Sequence, residues 1–349
     1  MFISRWQDSV EEFSLGTDRV PSDADREQCQ RRLTRLNDIE SSAQKATRNM
    51  EELASARPSC THVRIRRQFA YLVDGAPGDA SDRTLPPRTD RPPASRLMSP
   101  RGAALRLYLT ALFEAQASTS RAGTHPVNKR RLSGPGEQPS WADLLASPAQ
   151  LSRVGSAVHM TPSAKKMRQL KTTLVRLHEE ELITLPHSAA GAGKYEGFEL
   201  MHEAGKRRQG ANDLYKLPKP TDKDFFVVPT TLFTQGWIHC LEDTELAFLL
   251  MLASMNAYEQ PAAVMGEVRL LHYGIGRDAY EAHMMLNNLG LVQVTIDPRR
   301  FDDGKIEGYN DHHEAFLHRF QLLPAGLDTP AFVAVRDQVA HGLEHGSNA

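Results

Sequence analysis

The spacing of apolar residues between 164 and 178 predicts an amphipathic helix. Its apolar positions recur at intervals of three and four and form one stripe, made of Met167, Leu170, Leu174 and Leu177. The opposite face is polar and basic, and no acid occurs before Glu179. The segment LITL at 182–185 then reads as a short strand. This segment therefore combines a buried stripe with a face suited to an anionic partner.

The same succession of predicted elements occurs twice along the chain. The first unit begins with an apolar helix at 101–116, continues with the short helix SWADLLAS after the N-cap residue Ser140, and then reaches the basic helix and LITL. Two strand-like segments, YEGFELM and NDLYKLP, follow, joined by HEAGKRRQG as a hairpin loop. The second unit has three helical segments and two strands, at 242–255, 262–274, 277–290, 291–296 and 314–323.

A constant offset supports a duplication of this architecture. Leu177, Leu182 and Ile183 are followed 109 residues later by residues of the same kind, Leu286, Leu291 and Val292. In both units these residues lie at the end of the third helix and the start of the following strand. The order helix, helix, helix, strand, loop, strand is thus predicted to occur twice.

The N-terminal region predicts a further helix, at 18–57. Its apolar residues keep a 3-4-3-4-3 spacing, typical of a short coiled coil: Leu36, Ile39, Ala43, Ala46, Met50 and Leu53. One interpretation is a dimerisation helix. The other is a helix folded against its own domain or formed only marginally.

Two segments read as linkers or loops. Residues 74–96 contain five prolines and almost no large apolar residue, and residues 118–139 carry the basic run Lys129–Arg131. We therefore predict five regions: an N-terminal helical segment at 1–60, a Pro-rich linker at 61–96, a basic domain at 97–220, an acidic domain at 221–327 and a C-terminal helix or tail at 328–349.

Composition restricts the class of protein. The chain has 349 residues, 40% of them hydrophobic and 24% charged, which is typical of a globular protein with about two domains. Three isolated cysteines argue against a disulfide scaffold or a structural zinc site. The acidic N-terminus argues against a signal peptide, and the longest apolar run, 246–255, is too short to span a bilayer. We expect a cytoplasmic, nucleoid-associated protein.

Charge is distributed unevenly although the net charge is only −1. Residues 120–178 hold ten Lys and Arg against two acids, whereas residues 242–290 hold two arginines against seven acids. Phosphate would be attracted to the first unit and repelled by the second. We therefore expect the first unit to contact nucleic acid and the second to serve dimerisation or a protein contact.

The segments RQLKTTLVRLHEEELI and RDAYEAHMMLNNLGLV resemble the recognition helix and first wing strand of winged helix-turn-helix domains. Their tandem arrangement over residues 100–325 is similar to plasmid replication initiators and, more loosely, to bacterial winged-helix transcriptional regulators. The resemblance implies a mainly helical α+β fold, with two winged-helix domains after a helical N-terminal region. It also implies a recognition helix at 164–178 in the major groove of DNA.

The resemblance also implies roles for particular residues. The side chains that would face bases are Arg168, Gln169, Thr172 and Arg176. Those that would contact phosphate are Lys165, Lys166 and Lys171. A wing-tip cluster would hold the adjacent backbone and consists of Lys206, Arg207 and Arg208.

The resulting hypothesis is a sequence-specific DNA-binding protein without catalytic activity, cofactor or metal. It would act on double-stranded DNA, as a homodimer, in transcription regulation or in DNA replication of a plasmid or phage. The alternative is a non-enzymatic tandem winged-helix adaptor subunit of a chromosome-organising or other protein complex, with a protein partner on the second domain.

Enzyme and metal signatures are weak. GAGKY at 191–195 and GIGRDA at 274–279 lack residues that phosphate-binding loops require. His312, His313 and His318 are a possible metal set, but the first two are adjacent and would point to opposite sides of a strand.

Overall fold

The computed structural model describes residues 23–80, 83–99, 103–119, 121–147, 161–186, 193–207, 213–296 and 317–345. Its α-helices are α1 (Asp23–Ser55), α2 (Pro93–Leu97), α3 (Ala104–Ser118), α4 (Pro162–Glu179), α5 (Thr231–Thr234), α6 (Trp237–Cys240), α7 (Asp243–Ser254), α8 (Arg277–Asn288) and α9 (Ala331–His345). Its strands are β1 (His62–Arg66), β2 (Ile183–Thr184), β3 (Glu199–Leu200), β4 (Phe225–Pro229), β5 (Ala262–Ala263), β6 (Val292–Thr295) and β7 (Arg319–Leu322). The expected α+β class is confirmed.

The long helix α1 packs against its own chain. The seam with 3-4 spacing is buried along most of its length, and Leu36, Ala46 and Met50 are fully enclosed. Its neighbours are α3, α5, α9 and a 3-10 turn at Trp141–Leu144. The seam is therefore filled within the chain, and it is not free to form the coiled-coil dimer that was one interpretation of its spacing.

Two apolar helices, α3 and α7, lie at the centre of one continuous core. Almost every residue of both is buried, because each is covered on more than one side. The Phe113 ring of α3 stacks on the Phe233 ring of α5 at 4.6 Å between centroids. This packing joins the two predicted units through α5 and α1.

The sheets are small and antiparallel. Among the described residues, β1 pairs with β4 and β2 with β3, and β7 lies between β5 and β6 in a three-stranded sheet. The hairpin predicted beyond β3 is present as a single bridge between Met201 and Leu214. Within the described ranges, no helix combines the length and apolar character that crossing a membrane would need.

The ends of α4 and α8 have the same backbone geometry, 109 residues apart. At the end of α4, Leu182 N donates to Leu177 O at 3.0 Å, and at the end of α8 Leu291 N donates to Leu286 O at 2.9 Å. The residue before each leucine, Glu181 or Gly290, has a φ of 56° or 68°. Both ends are therefore Schellman caps, which require a left-handed residue at this position.

Several segments differ from the sequence-based expectation. The region 61–96, expected to be a linker, carries β1 and most of α2 and packs into the core. Pro93 begins α2, and the buried Arg96 forms an ion pair with Glu180 at 3.1 Å. These prolines initiate structure because a proline fits the first helical turn, where no backbone donor is needed.

The expected helix at 262–274 is also shorter than its pattern suggested. The segment 262–274 begins with strand β5 and contains a π-helix at Val268–His272. The loop at 118–139 has little regular structure, but Arg130 within it is buried and pairs with Glu114 at 3.1 Å. That arginine is a structural residue of the loop.

Candidate nucleic-acid interface

Helix α4 carries the basic face that the sequence singled out. Thr161 caps it by accepting a hydrogen bond from Ala164 N at 3.2 Å, and Pro162 occupies its first turn. Its buried face is wider than the predicted stripe because α4 packs between α3 and the 3-10 turn at 141–144. Thr173 is buried together with the leucines, while Met167 is only partly covered. The exposed face of α4 is therefore rotated toward Lys171 relative to the predicted polar face, and Arg168 and Thr172 belong to both.

Between residues 165 and 176, the exposed side chains are those of Arg168, Lys171 and Thr172. They lie within little more than one helical turn and bring two positive charges and a hydroxyl to one surface. The segment 161–176 contains no acidic residue. This surface can donate hydrogen bonds to anionic and carbonyl acceptors without a competing carboxylate in the first four turns of its helix.

Two further residues join this surface, and the sequence analysis did not assign them to it. Tyr195 lies beside α4, with Lys171 Nζ at 5.8 Å and Lys194 Nζ at 5.7 Å from its ring centroid. Together with Arg168 and Thr172, these residues form what we call the α4 surface. Tyr195 offers a flat, half-buried ring between two cations, which suits a sugar or base edge as well as a phosphate neighbour.

The segment that carries Lys194 belongs to the loop between β2 and β3. Leu132 N donates to Glu196 Oε2 at 3.0 Å, and Asn128 Nδ2 donates to Phe198 O at 2.9 Å. The exposed Lys129 and Arg131 therefore lie on an irregular segment beside this loop. The only sequence signal was GAGKY, which resembled a phosphate loop but lacked its required residues.

Four of the predicted contact residues turn partly toward the protein. Arg176 Nη2 pairs with Glu180 at 2.8 Å, and Gln169 lines a partly open cavity beside α1. Lys166 is half-buried in a cleft beside Lys45 and Asp143, where burial lowers the pKa of its ammonium group. Lys165 is half-buried as well. A sequence stripe could not show the covering of Gln169 and Lys166, because their neighbours come from distant parts of the chain, whereas the Arg176–Glu180 pair is a local i, i+4 contact.

The predicted wing-tip cluster lies near the C-terminal end of α4. Lys206 is exposed, and its backbone N donates to Glu180 O at 3.2 Å. The preceding Gly205 has a φ of 54°, and a β-carbon there would lie 2.5 Å from the same oxygen. This close approach places Lys206 about 18 Å along the helix from Arg168. Arg207 ends the 3-10 turn, and Arg208 lies outside the described residues.

The second unit presents a different surface. On α8, the exposed Arg277 is paired with Glu281 at 2.8 Å, and Met284 is half-buried. Two acids of the second unit are buried on α7, where Asp243 pairs with Arg106 and Glu245 pairs with Arg32. The acidic excess counted from sequence is thus partly used to hold α1 and α3.

No metal-binding arrangement is present among the residues that the structure describes, where no three His, Cys, Asp or Glu side chains converge. His312 and His313 lie outside those residues. Neither a protein-family model, nor a curated protein, nor a solved structure matches this chain. A functional assignment therefore has to come from the chemistry of its own surfaces.

Proposed function

We propose that this chain is a sequence-specific DNA-binding protein of tandem winged-helix architecture. It acts as a transcriptional regulator or as an origin-binding initiator of plasmid or phage replication, with α4 in the major groove. The observation that carries the proposal is the α4 surface, where Arg168, Lys171, Thr172, Lys194 and Tyr195 lie together on a helix without acids in its first four turns.

The order of elements supports the winged-helix part of the proposal. In the second unit α7, β5, the π-helix, α8, β6 and β7 follow one another, and β7 pairs with both other strands. In the first unit α3, the 3-10 turn, α4, β2 and β3 follow in a corresponding order. The matching Schellman caps after α4 and α8 support a common origin of the two units.

The side chains of the α4 surface suit two kinds of contact with DNA. Arg168 projects from the middle of the exposed face and is suited to bidentate recognition of a guanine edge. Lys171 and Lys194 flank it and suit phosphate oxygens, which position the helix without reading sequence. Arg176 is a weaker candidate for base contact than the sequence implied, because Glu180 already occupies its guanidinium.

Fluorescence anisotropy with a random-sequence duplex over a salt series tests the proposal. Each lost phosphate contact should reduce the slope of log affinity against log salt by about 0.9, so a Lys171→Ala/Lys194→Ala variant should lose about 2. The control variant Arg48→Ala/Lys223→Ala removes two exposed charges on other elements and should keep the slope. Weak binding by the parent protein at every salt concentration would refute the proposal.

Single variants separate base reading from phosphate binding. Arg168→Ala should cost about 1–3 kcal/mol at one base pair of a selected site and relax preference there, whereas Lys206→Ala should weaken all sequences alike. Equal loss of affinity across all sequences for Arg168→Ala would remove this residue from the reading set.

The second candidate is an adaptor subunit that binds another protein. Its support is the second unit, where Arg277 is neutralised by Glu281 and Met265 is 58% exposed. Co-purification with a large ATPase, without salt-sensitive retention on a DNA column, would favour this role. The buried seam of α1 removes one argument for a dimer, so the oligomeric state needs measurement by light scattering in either case.

A further inference from the structure

A cavity of about 910 Å³ lies between α1, α4, α6 and the first turn of α3. Its wall is apolar at four positions, namely Ile39, Ala103, Leu145 and Ala146. It is polar at the buried His239 and also at its solvent-open end, where exposed residues of α1 such as Glu27 and Thr34 line it. The volume lies within the range of sites for small molecules. The proposed DNA contact uses Arg168, Lys171 and Thr172 of α4, and none of these residues lines the cavity.

A buried histidine forms part of the wall of this cavity. His239 is 3% exposed, and its Nε2 atom has no hydrogen-bond partner among the residues that the structure describes. Burial, reinforced by the nearby charges of Arg106 and Lys166, lowers its pKa to about 3, so the ring is neutral near pH 7. A neutral ring with hydrogen on Nε2 can donate to an acceptor in the cavity.

Three arginines line the cavity together with this histidine, and they differ in how fully their donors are hydrogen-bonded. Arg32 forms two short hydrogen bonds with Glu245, and Arg106 pairs with Asp243 at 3.1 Å. The carboxylate of Glu242 is 3.9 Å from Arg35. Arg35 Nη2 donates to a carbonyl at 3.3 Å, and its Nε has no partner in the described part of the chain. Arg35 thus retains donor capacity next to the cavity.

Electrostatics favour a negative charge at this position. Burial lowers the pKa of the Arg35 guanidinium, and the charge of Arg106 lowers it further, against the opposing effect of Glu242. An anion beside Arg35 would offset both the burial and the repulsion. The apolar wall beyond it would cover a hydrocarbon body.

We propose that this cavity binds a small organic anion, whose acidic head accepts hydrogen bonds from Arg35 and His239 and whose apolar body lies against Ile39 and Leu145. The cavity also includes Gln169, which is next to Arg168 on α4. Binding there contacts the inward face of the helix whose outward face is proposed to read DNA. The ligand is therefore an effector of DNA affinity, and this second part rests on the proposed function.

Isothermal titration of the full chain tests the site with four named probes: acetate, inorganic phosphate, benzoate and octanoate. Benzoate or octanoate should bind saturably and more tightly than acetate, because each combines the acidic head with an apolar body. Arg35→Gln should weaken binding about tenfold or more, the loss expected for a charge-assisted hydrogen bond. Arg48→Gln, an exposed arginine on the same helix, should leave binding unchanged.

A spectroscopic readout keeps the test independent of folding of the variant. In the unaltered protein, the His239 imidazole resonances should shift on titration with the probe that binds. Saturable binding of phosphate alone would assign a phosphate head, and binding of the carboxylates would assign a carboxylate. The proposal is overturned if no probe binds saturably into the millimolar range, or if the Arg35→Gln variant binds as the parent does.

The effect on DNA is measured separately, so that the two proposals fail independently. Saturating probe should change duplex affinity in the parent protein and not in Arg35→Gln. Unchanged DNA affinity despite ligand binding would refute the effector role alone. Absence of DNA binding under all conditions would refute the proposed function and leave the calorimetric result intact.

Discussion

Arg32 and Glu245 form the ion pair that joins the N-terminal helix to the second unit. Two nitrogens of the guanidinium lie 2.6 and 2.8 Å from the two carboxylate oxygens, and the side chains are 8% and 4% exposed. Glu245 also accepts a hydrogen bond from Glu242 N at 2.8 Å and so closes the first turn of α7. This carboxylate therefore has two structural roles.

Replacing one residue of the pair should lower the free energy of unfolding far more than replacing both residues. Arg32→Met leaves a buried carboxylate without its cation and should cost about 3–5 kcal/mol. Glu245→Leu leaves a buried guanidinium and also removes the helix cap, which adds about 1 kcal/mol. The double variant removes both charges and loses mainly the helix cap. Its free energy of unfolding should therefore be only about 1–2 kcal/mol lower than that of the parent protein.

Urea denaturation followed by far-UV circular dichroism measures the four free energies of unfolding. The matched control is Arg31→Met, because Arg31 forms an ion pair of 2.7 Å with Glu27 on the same helix but both side chains are largely exposed. It should change stability by less than about 0.5 kcal/mol. If the effects of Arg32→Met and Glu245→Leu add in the double variant, the reasoning about a buried pair is wrong.

Three further predictions concern other parts of the chain. Gly290→Ala should destabilise by about 1 kcal/mol in urea denaturation, since its φ is 68° and a β-carbon meets no atom within 4 Å, whereas Gly266→Ala, equally open but without a positive φ, should not. Burial lowers the pKa of His239 from 6.5 to about 3. The contribution of the neutral ring to the free energy of unfolding is therefore fully present above pH 6.5 and is lost as the pH falls toward 3. Between about pH 7 and pH 5 the free energy of unfolding of the parent protein should fall by about 2 kcal/mol more than that of His239→Gln. An equal fall in both proteins would contradict the burial of this ring. In thiol titration Cys60 alone should react in the folded protein and all three cysteines in urea, since the other two are buried; a second fast thiol would contradict this packing.

Two helices and a strand of the second unit lie where the sequence predicted them. The segments 242–255 and 277–290 became α7 and α8, and 291–296 contains β6. Period is a local property of a segment, so it is readable without the fold. The segment 61–96 misled because its composition resembled a linker, and only the tertiary structure showed that it packs into the core, with β1 paired to β4 and Pro92 and Pro93 buried.

The candidate site was predictable only in part. Arg168, Lys171 and Thr172 are exposed as expected, whereas Arg176 and Gln169 turn inward. Glu180 lies four residues after Arg176, so this pair was readable from helical spacing, whereas the cavity beside Gln169 is formed by other elements and was not. Lys194 and Tyr195 joined the surface only because the loop between β2 and β3 returns to α4.

The sequence by itself determined where the longer helices form, that α1 and α4 each bury an apolar stripe, and where positive charge accumulates. The tertiary structure decided what covers each face. The seam of α1 from Leu36 to Met50 is the clearest case, since its spacing fits a second chain as well as the α3, α5 and α9 helices that occupy it. The hydrophobic effect is non-directional, so a stripe specifies that it will be buried but not against which partner. Shape and the buried pairs, such as Arg32 with Glu245, make that choice.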